Sequence, residues 1–448
     1  MAVLITKPKG TADTLPPESA SVRFIENCLL EEAKIFGFRE IRTPVFEHTE
    51  LFQRGVGETT DVVQKEMYTF EDNGHRSVTL RPEGTAGVVR AFLEHGLFNE
   101  PLPQKYFYFT SCYRYEKPQA GRLREFHQFG VEALGTAEPA EDAEIIALAR
   151  HVFDRFGIEN IRLEINSIGC PACRKNFQKA LREYFEGYKD QLCETCLSRL
   201  ERNPMRILDC KSPVCSEIAK NAPRVLDFLC EECETHFEKV QKYLDVMGIE
   251  YKVNPTIVRG LDYYTKTVFE FVSDNIGAQG TVCGGGRYDG LVKELGGNPL
   301  PACGFGMGIE RLKLLLDAAQ IELPAEATPD LYIAPANPAF SPEAMRLTDL
   351  LRNAGNIVLT DVSARSLKAQ MKFANKIKAK YTMVLGEDEI NTHKAVIKDM
   401  QNGGTAEVDL DKLEDAFRRI LLADTIGAVP DDVKPGLETL VLLNGGKE

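Results

Sequence analysis

Hydrophobic and polar positions follow two rhythms along the chain. The strongest period of two runs through Tyr106, Phe107, Tyr108 and Phe109 and returns as Phe126-His-Gln-Phe-Gly-Val-Glu132. Between the two runs lies a charged excursion from Glu116 to Arg124 that contains Gly and Pro. Successive strand side chains point to opposite faces, so the pattern predicts a long hairpin with Gln128, Gly130 and Glu132 on one face. A strand that gives Gln and Glu to a face the core would otherwise use lines a polar cavity, although a solvated hairpin face shows the same alternation.

Around the hairpin the period shifts between 2 and 3.6 residues. Val22, Ile25, Leu29, Ala33 and Phe36 predict a helix over 18–36, ended by Gly37, and Phe38 to Pro44 reads as a strand closed by proline. Residues 54–70 alternate loop and strand signals. Ser77 to Arg81 reads as a strand that turns through Pro82-Glu83-Gly84-Thr85 into a helix carrying Ala86, Val89, Ala91 and Phe92. A carboxylate and a hydroxyl at such a turn can converge on an ammonium group, or Thr85 can simply cap the helix. A helix is expected over 139–156 and strands over 161–165 and through 257–272. Two glycine-rich strands follow, Thr281 to Asp289 and Gly304 to Leu312, the second running into a helix with Arg311 in its first turn. Glycines in a strand remove side chains where a flat ligand or another backbone comes close. Arg259, beside Asp262, Tyr263 and Tyr264, reads either as surface packing or as a fixed cation for an oxyanion. Neither GxxxxGK[ST] nor GxGxxG occurs.

Past a Pro- and Ala-rich linker at 321–328 the pattern becomes β-α-β-α-β, which predicts a small parallel or mixed sheet with helices on both faces. Two more strands, near 396–400 and 406–409, and a helix over 411–423 complete this unit. Lys368, Lys372, Lys376 and Lys380 recur every four residues beside Leu367, Met371, Ala374 and Ile377. That line is a solvated helix face or a contact for a phosphate backbone. The tail after Gly427 is weakly patterned, though Leu437, Leu440, Val441 and Leu442 could dock.

Composition narrows the picture. At 448 residues and 43% hydrophobic content the chain can bury at least two cores. No apolar run approaches a membrane span and the first residues lack a signal peptide's apolar region, so a soluble cytoplasmic protein is expected. A net charge of -13 offers nucleic acid no global attraction, so any polyanion must meet a local basic patch. Eight of the twelve cysteines fall in four pairs: Cys170 and Cys173, Cys193 and Cys196, Cys210 and Cys215, Cys230 and Cys233. In a reducing compartment such pairs suggest metal before disulfides, and eight thiolates suffice for two tetrahedral zinc sites. Small buried residues with inert thiols are the other reading.

The motifs together closely resemble those of bacterial-type histidyl-tRNA synthetases, a family of class II aminoacyl-tRNA synthetases, over residues 1 to about 425. Leu80-Arg-Pro-Glu-Gly-Thr-Ala-Gly87 looks like the family's amino-group-binding turn. Tyr113-Arg-Tyr-Glu with Arg124-Glu-Phe-His-Gln128 is similar to class II motif 2, and Gly304 to Leu312 to motif 3. Phe38 to Pro44 resembles motif 1, which builds a dimer interface in the family. Val258-Arg-Gly-Leu-Asp-Tyr-Tyr264 and Cys283-Gly-Gly-Gly-Arg-Tyr-Asp289 resemble the two histidine-specific motifs. The thiols are no part of this pattern; their segment occupies the place of the family's helical insertion.

The resemblance implies an α+β catalytic domain over 1–325, an antiparallel sheet flanked by helices with a helical Cys-rich insertion at 168–255. It further implies an α/β anticodon-binding domain over 329–425, followed by a tail at 426–448. Activity would be ATP- and Mg²⁺-dependent ligation of L-histidine to tRNA(His) by a cytoplasmic homodimer serving translation. Arg114 and Arg259 would hold the α-phosphate and carboxylate, Arg311 the γ-phosphate, with Glu116 assisting at Mg²⁺. Glu83, Gly84, Thr85 and Gln128 would take the amino group, and Glu132, Tyr263 and Tyr264 the imidazole. Gln119 and Arg122 would meet the acceptor end of tRNA, and Lys368, Lys372 and Lys376 the anticodon side. A non-catalytic synthetase-like regulator or tRNA-sensing protein, and a zinc or redox protein defined by its cysteines, are the competing readings.

Overall fold

In the computed structural model the aromatic runs form the hairpin Gln104–Tyr113 and Glu125–Leu134, and the largest sheet grows from it. The structure describes residues 4–57, 60–208, 210, 212–257, 259–276 and 280–427; Val258 of the first histidine-specific motif and the apolar tail positions Leu437, Leu440, Val441 and Leu442 lie outside them. The chain divides into two compact units, 1–325 and 326–448.

In the first unit eight strands lie in the order Arg39–Glu40, Gln104–Tyr113, Glu125–Leu134, Ala302–Gly308, Thr281–Arg287, Thr265–Val272, Arg162–Ser167 and Lys252–Val253. The six inner strands are antiparallel to their neighbours; only the two short edge strands pair in parallel. Alternation splits the sheet into two faces. Phe107, Phe129, Val131, Phe305, Met307, Phe269 and Phe271 turn to one side and bury against the helices Glu18–Ile35 and Pro139–Arg155. Burial of aromatic side chains of this size contributes about 1.5–3 kcal/mol each, which fixes the register and so the composition of the opposite face.

Three stretches depart from the sequence pattern. Residues 54–70 hold the end of a helix, Thr49–Val56, and a π-helix, Val62–Glu66, before the short strand Tyr68–Glu71. The strand expected over 38–44 shrinks to Arg39–Glu40. Residues 259–264 are irregular and the strand begins at Thr265.

The cysteine segment is helical, with Pro171–Glu186, Glu194–Arg202, Pro213–Ala219 and Glu231–Val246. In the second unit the strands lie in the order Val358–Thr360, Leu331–Pro335, Tyr381–Leu385, Lys394–Asp399 and Thr405–Asp409, the first three parallel and the rest antiparallel. Leu331 and Ile333 pack on one side with Leu347 of the helix Ser341–Asn353; Tyr332 and Ala334 pack on the other with Ala374 of the helix Leu367–Lys376.

Candidate active site

The second face of the large sheet carries polar side chains and glycines alongside the buried tyrosines Tyr106 and Tyr108. Register places Glu132 beside Tyr106 and Gly304, Gly130 beside Tyr108 and Gly306, and Gln128 beside Thr110 and Gly308. These glycines make room for neighbouring polar side chains. A Cβ on Gly304 would overlap the Glu132 carboxylate, one on Gly306 the Gln128 amide, and one on Gly84 or Gly130 the ring of Tyr108. On Gly284 it would lie 2.6 Å from the Arg259 guanidinium. Gly285 and Gly286 instead face the backbone of adjacent strands.

Glu132 is fully buried at the centre of this floor. Thr85 Oγ1 donates to its Oε1 at 2.7 Å, Tyr108 donates to the same oxygen at 3.0 Å, and the Tyr288 hydroxyl donates to Oε2. Burial pushes the carboxyl up to about 8, helped by the nearby charge of Glu83 and opposed by the three hydroxyl donors. Glu83 caps the helix Thr85–Glu94, accepting from the backbone N–H of Thr85 at 2.7 Å and of Ala86 at 2.9 Å. The cap is therefore Glu83, and the Thr85 hydroxyl is released for Glu132. Burial raises the Glu83 carboxyl as well.

Above the floor opens a cleft of about 610 Å³ lined by Glu83, Thr85, Arg114, Glu116, Arg122, Gln128, Arg259, Tyr263, Tyr264 and Arg311, among others. Arg114 Nε is anchored on the Pro82 carbonyl at 2.8 Å, and its guanidinium lies 5.3 Å from the centre of the Phe126 ring. Arg259 pairs with Glu270, which also accepts from Thr281 Oγ1 at 2.8 Å, and it lies 5.5 Å from the Tyr264 ring centre. Its Nε is buried with no hydrogen-bond partner among the described residues. Burial and the neighbouring Arg122 both disfavour the charge on Arg311. A cleft holding three such guanidinium groups favours a polyanion.

Glu132 and Lys380 stand elsewhere than the pattern suggested. Glu132 does not line the cleft; it lies beneath Thr85 and Tyr108 with its oxygens engaged. Arg122 turns back to Glu116 at 2.7 Å and lines the cleft, while Gln119 is exposed at the hairpin tip, joined to Arg122 by a two-residue bridge. Lys368, Lys372 and Lys376 are exposed on their helix; Lys380 lies beyond it and pairs with Asp330 at 2.7 Å. Tyr108, Glu270 and Tyr288 were not singled out from the sequence. Tyr108 shares the parity of Gly130 across the hairpin, the one signal that points to it.

The cysteines gather into two tetrads, Cys170, Cys173, Cys230 and Cys233, and Cys193, Cys196, Cys210 and Cys215, with all sulfurs of each within 4.8 Å of one another. Each tetrad has the donor set of a metal site.

An antiparallel sheet whose polar face carries arginines over a glycine-lined floor, in a chain that also holds a separate α/β unit, defines a class II aminoacyl-tRNA synthetase fold. The family model for histidyl-tRNA synthetase matches residues 10–312, and that for an anticodon binding domain matches residues 330–420. The chain is 55% identical to a histidine–tRNA ligase of Clostridium novyi, over 93% of this chain and 99% of the relative. It is 52% identical to one of Caldanaerobacter subterraneus, over 93% and 100%. The solved apo histidyl-tRNA synthetase of S. aureus superposes with a TM-score of 0.79 at 41% identity, covering 92% of this chain and all of that one. The chain belongs to the histidyl-tRNA synthetase family.

Proposed function

We propose that the chain is an ATP-dependent histidine–tRNA ligase. Histidine and ATP give histidyl-adenylate and pyrophosphate, and the histidyl group then passes to the 3′ end of tRNA(His). The observation that carries the reading is that Arg114, Arg259 and Arg311 open onto one cleft with Thr85, Gln128, Tyr263 and Tyr264.

In the first step a carboxylate oxygen of histidine forms a bond to the α-phosphorus as the bond to the bridging oxygen breaks, and pyrophosphate leaves with that electron pair. The carboxylate is already a nucleophile at neutral pH, so positioning and charge neutralisation supply the catalysis. Arg259, aimed by Glu270, and Arg114, held by Pro82, address the α-phosphate and the attacking carboxylate. Arg311, on the first turn of its helix, addresses the γ-phosphate. Glu116 and Glu310 offer the hard oxygen donors that Mg²⁺ takes, and that ion would neutralise phosphate charge. Gln128, Glu83 and Thr85 receive the amino group. Tyr263 and Tyr264 face the imidazole, which carries one donor and one acceptor. Glu132 acts from beneath, fixing the Thr85 and Tyr108 hydroxyls. A ring that leaves these buried groups unpaired is rejected by about 10⁴-fold or more.

The hairpin tip with Gln119 and Arg122 meets the acceptor end of tRNA, and Lys368, Lys372 and Lys376 meet its phosphates on the anticodon side. Zinc occupies the two thiol tetrads as a structural ion. Two copies associate through the segment around Arg39–Glu40, an edge strand followed in the chain by the exposed Val45 and Phe46. Among the described residues no helix is long and apolar enough to cross a membrane, in keeping with work in the cytoplasm. Histidine-dependent exchange of labelled pyrophosphate into ATP is the direct assay: robust exchange is expected with histidine alone among the amino acids, and its absence overturns the reading.

A further inference from the structure

The sequence provides four cysteine pairs without saying which pairs meet. In the structure they nest. The first pair joins the last, bringing together the entry and exit of the insertion, and the second joins the third inside it. Four thiolates around Zn²⁺ at about 2.3 Å stand about 3.8 Å apart. Cys170 and Cys173 sulfurs are 3.5 Å apart, and those of Cys193 and Cys210 are 3.8 Å apart. Both are far beyond a disulfide bond of about 2.05 Å. Cys170, Cys193 and Cys230 each stand at the N-cap of a helix, and Cys173, Cys196 and Cys233 follow in the first turns. Unpaired N–H groups and the helix dipole favour negative sulfur at those places. The Cys230 N–H reaches Cys173 Sγ at 3.1 Å, and the Cys193 N–H reaches Cys215 Sγ at 3.3 Å, so each tetrad has a backbone donor aimed at sulfur from a partner pair.

The inner tetrad closes the segment from Cys196 to Cys210, and that segment grips the loop carrying Arg259. Arg206 donates to the Gly260 carbonyl, and Asn203 donates to the Asp262 carboxylate at 3.4 Å. Arg199, which holds the Arg206 carbonyl at 3.0 Å, and Arg202 reach across to Asp61 and Gln64 at 3.3 and 3.2 Å. From the outer tetrad's side, Arg174 donates to the Asp262 carbonyl at 3.3 Å. The loop has no regular secondary structure of its own between residues 259 and 264, so these side chains, with the Asp262 N–H bond to the Val56 carbonyl at 3.2 Å and the Arg259–Glu270 pair, set its position.

We propose that each tetrad binds one Zn²⁺ as a tetrathiolate, releasing the thiol protons to solvent, and that the inner ion positions Arg259 through Asn203 and Arg206. The outer ion fastens the insertion's two ends. The proposal rests on the reading of Arg259 as an activation residue only for its second part; the ions themselves are measured apart from activity.

Holoenzyme purified without chelator is analysed for metal, and its zinc is exchanged for Co²⁺. Two zinc ions per chain and a cobalt spectrum of tetrahedral thiolate ligation are expected; zinc near zero, or a spectrum of oxygen and nitrogen ligands, overturns the sites. Cys193→Ser with Cys210→Ser should retain one zinc, as should Cys173→Ser with Cys233→Ser. Loss of both ions from the inner pair of changes, in a variant that still folds by circular dichroism, counts against two separate sites. Asn203→Ala with Arg206→Ala should keep both ions yet lower kcat for pyrophosphate exchange about ten-fold, with KM for ATP held. Undiminished kcat there overturns the coupling to Arg259. Absence of exchange in the wild type, with two zinc ions present, would instead remove the proposed ligase activity and leave the sites standing.

Discussion

Glu132 has three hydroxyl donors, and it is the buried group whose protonation state the floor controls. Its carboxyl is pushed from the ordinary 4.5 up to about 8, burial being the main cause. A raised carboxyl stabilises the fold fully below the unfolded value, and that contribution is lost as pH rises through the folded value. Glu132→Gln cannot ionise. The melting temperature of the wild type, taken relative to that of the variant, should therefore fall as pH rises from 5 to 8. A wild type that gains on the variant as pH rises would mean that the hydroxyls hold a carboxylate, and thermal melts across that range distinguish the two. The position was legible in the sequence because parity placed Gln128, Gly130 and Glu132 on one face. Its partners were not: Tyr108 reads as one more aromatic in an apolar run, and Tyr288 as the end of a glycine strand. Glu270 likewise looks like an ordinary exposed position of an alternating strand until the Arg259 loop folds onto it.

At the scale of elements, the two glycine strands set the depth of the floor, and their glycines differ in what they protect. A Cβ on Gly306 would first meet the flexible Gln128 side chain, whereas one on Gly304 would meet the Val131 carbonyl of the neighbouring strand as well as Glu132. Gly306→Ala should therefore leave the melting temperature within a few degrees and raise KM for histidine, because Gln128 moves. Gly304→Ala should cost stability by about 1–3 kcal/mol, the range for forcing atoms into a packed interior. Urea titration and steady-state exchange kinetics separate the two effects; equal stability loss would show that the floor is packed as tightly around Gln128 as between strands. Long elements with a clear period were readable, the helix Glu18–Ile35 and the aromatic hairpin above all. The eight-residue helix Thr49–Val56 was not, since its amphipathic pattern repeats over only two turns with a glycine inside, and its stability comes from burying Leu51, Phe52 and Val56. The irregular 259–264 loop carries apolar and aromatic residues that mimic a strand, but its backbone is held by side chains from the insertion. Nesting of the cysteine pairs is beyond a one-dimensional reading for the same reason: each pair is a local pattern, and only the helices between them decide which pairs meet.

For the whole molecule the question is how a chain of net charge -13 holds a polyanion. Long-range attraction is unfavourable, so binding must rest on local cations that displace counterions from tRNA. Lys368, Lys372 and Lys376 are exposed along one helix of the second unit, whereas Lys380 is engaged with Asp330. Each lysine that neutralises a phosphate should contribute about 0.7–0.9 to the slope of log affinity against log salt. Lys372→Glu with Lys376→Glu should raise KM for tRNA(His) at low salt and flatten its salt dependence by roughly one to two. Pyrophosphate exchange, which needs no tRNA and uses residues of the first unit, should stay at the wild-type rate. That contrast separates a contact from a global loss of structure: a change in both assays points to misfolding, and an unchanged salt slope in the aminoacylation assay assigns the lysines to a solvated face and moves the tRNA contact elsewhere on the chain.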